Sequence, residues 1–180
     1  GALTLNSVVE TSTKFAAIPD NQGRDNPAAH ALMEVIAKAK ADMGTFFGAS
    51  SGQFFVGESG TELTFRLLRA MILGAPSGPV LGSSVEHPAS RSAARKWAHV
   101  SGRAYISVPH DDVRGLVAPE AYAAQVTPDT AVATILHTSP VTGMGMDLPG
   151  IVAAIRAKAP ECLIFVDGIQ HASHGRIDIA

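Results

Sequence analysis

The sequence predicts an α/β fold of three layers, helix–sheet–helix, built around a mostly parallel sheet. Short apolar runs alternate with helix-length segments along most of the chain. The strand candidates are apolar throughout, as strands covered on both faces are. The polar side chains suited to chemistry fall just after those strands, beyond the carboxyl ends, where ligands bind in such sheets.

Taken in order, residues 1–25 are polar and turn-rich and read as an N-terminal arm lying on the surface or on a partner. Asn26-Pro27 makes a helix start, with a capping side chain and proline at the first helical position. Leu32, Val35, Ile36, Met43 and Phe47 recur at helical spacing, and Gly48 ends the run. Strands are expected at residues 53–56, 79–83, 103–108, 131–137 and 162–166, the last a buried strand ending in Asp167. Helices are expected at 61–73, 88–100, 119–126 and 148–159, the last capped by Asp147. Gly74 and Gly102 close two of them.

The bulk numbers narrow the function classes. The 180 residues suffice for a sizeable core, and 46% are hydrophobic against 17% charged. A net charge of −2 points to neither nucleic acid nor an anionic membrane as partner. No apolar run approaches the ~20 residues that span a bilayer, and the first residues lack the blocks of a signal peptide. The single cysteine, Cys162, excludes an internal disulfide and suggests a reducing, cytoplasmic setting. It sits in an apolar run and reads as a core residue. The glycine at position 1 and the unfinished element at residues 176–180 suggest a chain cut at both ends.

Four stretches hold the candidate site. Gly57-Glu58-Ser59-Gly60-Thr61-Glu62 joins a strand to a helix, so free N–H groups and hydroxyls there can cradle a phosphate. An ordinary capping turn explains Ser59 and Thr61 equally well. Thr61 stands where a hydrolase nucleophile elbow needs glycine. Leu148 likewise excludes a dinucleotide fingerprint at Gly143-Met144-Gly145. His87 can stack on a flat heteroaromatic ligand, or simply satisfy the helix start beside Pro88. Asp167 ends a strand, where a carboxylate needs a partner: a protonated ring nitrogen of a cofactor, or the turn it caps with Gly168. Gln170 can donate to a ring hydroxyl. Alternatively, Asp167, His171 and His174 form a metal ligand set, which would make the chain a metal-dependent hydrolase.

Together these pieces resemble fold-type I pyridoxal-phosphate (PLP) enzymes of the aminotransferase class V group. That group includes cysteine desulfurases, C–S lyases, kynureninase and isopenicillin N epimerase. The resemblance runs from about Asn26 to Ala180. Residues 54–62 resemble the family's phosphate-binding turn, and Val85-Glu86-His87-Pro88-Ala89-Ser90 its "EH" block. His137-Thr138-Ser139-Pro140-Val141-Thr142-Gly143 resembles its "SN-x-x-G" block, and residues 165–178 its "VDGAQ…H…D" block.

The resemblance implies the roles. Ser59, Gly60 and Thr61 hold the cofactor phosphate, His87 stacks on the ring, Asp167 pairs with the ring nitrogen, and Gln170 bonds the ring hydroxyl. His87 and Asp167 are the expected catalytic residues, and His174 belongs to the framework. Residues 26–180 are then the major part of the PLP-binding large domain, without the small C-terminal domain. The substrate is a small amino acid, and two subunits pair as a homodimer. The chemistry is transamination, C–S lysis or desulfuration, or epimerisation.

Two departures qualify this. Pro140 stands where many members carry an asparagine, which tilts the expectation towards a lyase-like or other branch. The Schiff-base lysine belongs downstream of Asp167, past Ala180. Lys14, Lys38, Lys40, Lys96 and Lys158 all precede Asp167, and none occupies the family position. The chain alone is then inactive, and a non-catalytic pseudoenzyme or partner subunit lacking the lysine is the second reading.

Overall fold

The computed structural model describes residues 3–18 and 23–179. Their contacts group into two compact units, Gly1–Phe54 with Ile177–Ala180, and Phe55–Arg176.

The first unit holds α1 (Asn6–Ala16) and α2 (Pro27–Phe47). α2 starts and stops as its sequence predicts. The Asn26 side chain accepts from Ala29 N–H, Pro27 occupies the first turn, and Gly48 ends the helix with φ at 65°. α1 lies in the part read as a turn-rich arm. Its run of Val, Ser and Thr has weak helix propensity, and no side chain caps its start. The hydroxyls of Thr11 and Thr13 instead bond back to the carbonyls of Ser7 and Val9. No residue of α1 is buried.

The second unit alternates strand and helix: α3 (Gly60–Gly74), β1 (Val80–Ser83), α4 (Pro88–Val100), β2 (Tyr105–Val108), α5 (Pro119–Gln125), β3 (Val132–Leu136), α6 (Leu148–Lys158), β4 (Leu163–Asp167) and α7 (Ile169–Ala172). The sheet has the order β2-β1-β3-β4, and every pairing is parallel. Val80 lies opposite both Tyr105 and Val132, and Val132 lies opposite Leu163.

Each face of the sheet carries its own core. Leu81, Val108, Ala133 and Ile135 pack with Tyr122 of α5 and with Ile151 and Ile155 of α6. Val80 and Val132 pack with Leu68 and Ile72 of α3 and with Ala93, Ala94 and Ala98 of α4. Small alanines let α4 lie close to the sheet. The expected three-layer αβα architecture is therefore present.

Two expectations fail. Residues 53–56 form no strand and pair with none of the four strands. Backbone in a strand needs a neighbour for its N–H and C=O groups. Phe55 and Val56 are instead 70% and 89% exposed. The strand ending in Asp167 is also not buried throughout. β4 has one neighbour, β3, among the described residues, and leaves Leu163 and Val166 exposed. Cys162, just before it, is buried, and burial pushes its thiol up to about 11, as the core reading requires.

Two details hold the frame. Gly78 enters β1 with φ at 149°, and a Cβ there would lie 1.8 Å from the Asp129 carbonyl oxygen, so the turn admits only glycine. Tyr122 donates its buried hydroxyl to the Thr134 carbonyl at 2.7 Å, pinning α5 to β3. Tyr122→Phe is expected to cost about 1 kcal/mol in urea unfolding. An unchanged midpoint would remove that bond from the account.

Candidate active site

β1 continues to β2 on one side, whereas β3 and β4 lie on the other. The order therefore reverses between β1 and β3, and ligands of such sheets bind outside the strand ends at that reversal. Among the described residues, one cavity of about 310 Å³ lies along the α3–α4 face of the unit. Gly60, Thr61, His87 and Asp167 line it, with Leu63 and Phe165 among its apolar walls. Its size falls at the low end of the ~300–1,000 Å³ of small-molecule sites.

Each side chain is held by local structure. Ser59 caps α3, its Oγ accepting from Glu62 N–H at 3.1 Å. That leaves the other N–H groups of the first turn of a 15-residue helix free for an anion. Gly60 and Thr61 reach the cavity; Ser59 does not line it. His87 caps α4, its Nδ1 accepting from Ala89 N–H at 3.2 Å, and its ring borders the cavity. Asp167 ends β4. Its Oδ2 accepts from Ser90 Oγ at 2.9 Å and its Oδ1 from Ile169 N–H at 3.3 Å. The capping roles of Ser59, His87 and Asp167 are thus all filled, and two of the three also face the cavity.

Gln170 follows on α7 but does not line the cavity. Its carbonyl accepts from Ser173 Oγ and lies 3.0 Å from His174 Nδ1. His174 is exposed and bound to its own turn, with Ser173 Oγ at 2.7 Å. His171 stacks on His137, ring centroids 3.7 Å apart and planes at 20°. Its Nδ1 lies 3.1 Å from Thr138 Oγ1 and its Nε2 3.1 Å from the Arg176 carbonyl. Burial, then the neighbouring His171, hold His137 below the usual imidazole range.

Both ring nitrogens of His171 are therefore engaged. Among the described residues no group of three or more His, Cys, Asp or Glu side chains is placed to hold a metal ion. The metal set of Asp167, His171 and His174 does not form.

Two residues escaped the sequence reading. Ser90 bonds Asp167 from one turn into α4. Its position three residues after His87, on the buried side of that helix, was the available signal. Glu86 is 3% exposed, with Ser83 Oγ donating to its Oε1 at 2.9 Å. Burial pushes this carboxyl up to about 7, and the charge of Asp167 adds to the rise.

A larger open hollow of about 520 Å³ beside the end of α2 has Lys40 as its single charged lining residue, and no chemistry converges there. No described helix is long and apolar enough to cross a membrane.

The family model for aminotransferase class-V matches residues 2–180. No curated protein matches the sequence. Several solved structures share the fold. A NifS-like protein superposes with a TM-score of 0.89 at 19% identity, covering 99% of this chain and 49% of its own. A cysteine desulfurase from Escherichia coli gives 0.80 at 21% identity, covering 99% and 45%. A mutant of C-DES with glycine covalently linked to the PLP cofactor gives 0.79 at 19%, covering 96% and 46%. The chain spans about half the length of these proteins or slightly less.

Proposed function

Because this chain belongs to the aminotransferase class-V family, we propose that it forms the cofactor-binding part of a PLP-dependent enzyme acting on a small amino acid. One observation supports this above the rest: the start of α3, the ring of His87 and the carboxylate of Asp167 border one cavity.

The residues present fit the cofactor by their donor chemistry. Free N–H groups at a helix start, with the Thr61 hydroxyl, suit a phosphate. A flat imidazole at His87 suits a flat ring. A carboxylate fixed by Ser90 and by the turn suits a protonated ring nitrogen. Leu63 and Phe165 give the cavity apolar wall against which a flat ring could pack. When bound, the cofactor supplies an electron sink for charge developing at a substrate α-carbon. The chain's own part would be to anchor the phosphate through Ser59, Gly60 and Thr61, to stack on the ring with His87, and to keep its nitrogen protonated with Asp167. Gln170, which does not line the cavity here, would complete this set as the donor to the ring hydroxyl.

The reaction on this reading is transamination, C–S lysis or desulfuration, or epimerisation. Pro140 is exposed and offers no donor, so contacts of the asparagine type come from elsewhere, which favours a lyase-like branch. Residues 26–180 then make up most of a large cofactor-binding domain, with residues 1–25 as its arm. The enzyme is a homodimer. Exposed Met33, Val35, Met43 and Phe46 of α2 offer it apolar surface. Its compartment is the cytoplasm.

Pyridoxine 5′-phosphate, which carries ring and phosphate but no aldehyde, tests the site without labelling surface lysines. Saturable binding is expected, with stabilisation of about 2.7 kcal/mol at 100 times Kd. Pyridoxine without phosphate should bind roughly tenfold more weakly, the difference a charge-assisted phosphate anchor makes. An intact protein that binds neither would sink the reading.

A further inference from the structure

The carboxyl ends of β1 and β2 bring together three side chains that do not line the cavity at His87 and Asp167. Ser83 of β1 lies opposite Val108 of β2, and Ser84 N–H extends the pairing by donating to the Val108 carbonyl at 2.8 Å. His110 stands two residues after β2. Its backbone N–H donates to Ser84 Oγ at 3.1 Å, and its ring Nδ1 lies 2.8 Å from the same oxygen. On the far side of the ring, Asp112 Oδ1 lies 3.1 Å from Nε2. A carboxyl oxygen there favours the ring proton on Nε2, which leaves Nδ1 to accept the hydroxyl proton of Ser84.

The loop that carries His110 and Asp112 is held in shape. Asp111 N–H donates to the Leu116 carbonyl and Gly115 N–H to the Asp111 carbonyl, both at 2.8 Å. The Asp111 carboxyl accepts from Val113 N–H and Arg114 N–H. Arg91 of α4 adds a cation, its Nη1 donating to the Ser84 carbonyl at 3.5 Å. A serine–histidine contact alone would be a tether between two strand ends. With a carboxyl behind the ring and a guanidinium beside the serine, the group has the parts of a serine hydrolase site: nucleophile, base, orienting group and charge stabiliser. Those parts are recognised by geometry, whatever the fold or chain order.

We propose that Ser84 is a nucleophile activated by His110, taking the acyl group of a small, activated carboxylic ester. Ser84 Oγ attacks the ester carbonyl carbon as its proton passes to His110 Nδ1. The bond from that carbon to the leaving alcohol's oxygen breaks, and His110 returns the proton to that oxygen. Water then attacks the acyl carbon, giving a proton to His110. The ester bond to Ser84 breaks, the acid leaves, and the proton returns to Oγ. Arg91 offsets the charge that develops on the carbonyl oxygen. Asp112 is a positioning residue that acts through the ring. It is 92% exposed, so solvent weakens its hold.

A fluorophosphonate tests the nucleophile directly on the intact protein. The Oγ–P bond forms, the P–F bond breaks, and fluoride leaves while His110 takes the proton and passes it to solvent. Tandem mass spectrometry locates the adduct and follows its growth. Ser84 is expected to label roughly 100-fold faster than the exposed Ser92 of α4, the low end of what a positioned base contributes. This internal comparison needs no variant. His110→Gln is expected to remove the advantage. Asp112→Asn is expected to slow labelling about threefold, the scale of an exposed pair. It should also redistribute the His110 ring proton between Nε2 and Nδ1 in nitrogen-15 NMR, which a merely structural role would leave in place. A Ser84 that labels no faster than Ser92 overturns the proposal, and so does a folded His110→Gln that labels as wild type. None of these readouts uses the cofactor, so the proposal stands or falls apart from the cofactor reading.

Discussion

Asp167→Asn is expected to weaken pyridoxine 5′-phosphate binding by roughly 100-fold, the scale on which removing one partner of a desolvated charge pair acts. Asparagine keeps the shape and can still engage Ser90 and the Ile169 N–H, so the frame survives. On the proposed reading, what it loses is the charge that would hold a proton on the ring nitrogen. Ser90→Ala is the matched control. It removes one neutral hydroxyl donor from Asp167 and leaves the charge, so about a fivefold loss is expected, near the 1 kcal/mol of an ordinary hydrogen bond. Fluorescence titration of both variants, with thermal unfolding to verify the fold, checks the order. A folded Asp167→Asn that binds as wild type removes Asp167 from the site.

The second large effect concerns stability. Glu86 holds its proton with a midpoint of about 7 in the folded chain, against 4.5 for an unperturbed glutamate. Protonation therefore favours folding. The contribution is fully present below pH 4.5, erodes as pH rises, and is gone above pH 7, where the buried group must ionise. Across pH 5 to 8 the loss comes to about 2 to 3 kcal/mol. Glutamine cannot ionise, so Glu86→Gln should lack this component. Urea unfolding of both proteins at pH 5 and pH 8 reads it as a difference of differences, in which every other titrating group cancels. Parallel losses in the two proteins would mean that Glu86 is solvated or paired in solution.

Much of this was legible in the linear chain because it depends on local rules. Asn26-Pro27 and Gly48 bracket α2 through capping and the left-handed turn, and both act within a few residues. His87-Pro88 and Asp147 start α4 and α6 in the same way. Apolar runs marked β1, β3 and the position of Cys162, since burial on both faces selects such runs. The failures share one cause. Residues 53–56 look like a strand, yet a strand exists only where a neighbour offers its backbone. The strand ending in Asp167 looks buried, yet it has one neighbour among the described residues and leaves Leu163 and Val166 exposed.

The sequence by itself determined the alternation of elements, the αβα architecture, and the placing of Ser59, His87 and Asp167 at strand and helix ends. Those features rest on spacing, capping and hydrophobic period, which are properties of neighbours in the chain. The tertiary structure decided which of these residues meet. It seated Ser90 on Asp167 across 77 positions, turned Ser59 and Gln170 out of the cavity lining, and stacked His171 on His137. It also buried Glu86, with Ser83 as its hydrogen-bond partner. Charge and burial act through space, so the state of a buried carboxyl is written in the packing around it and not in the residues on either side.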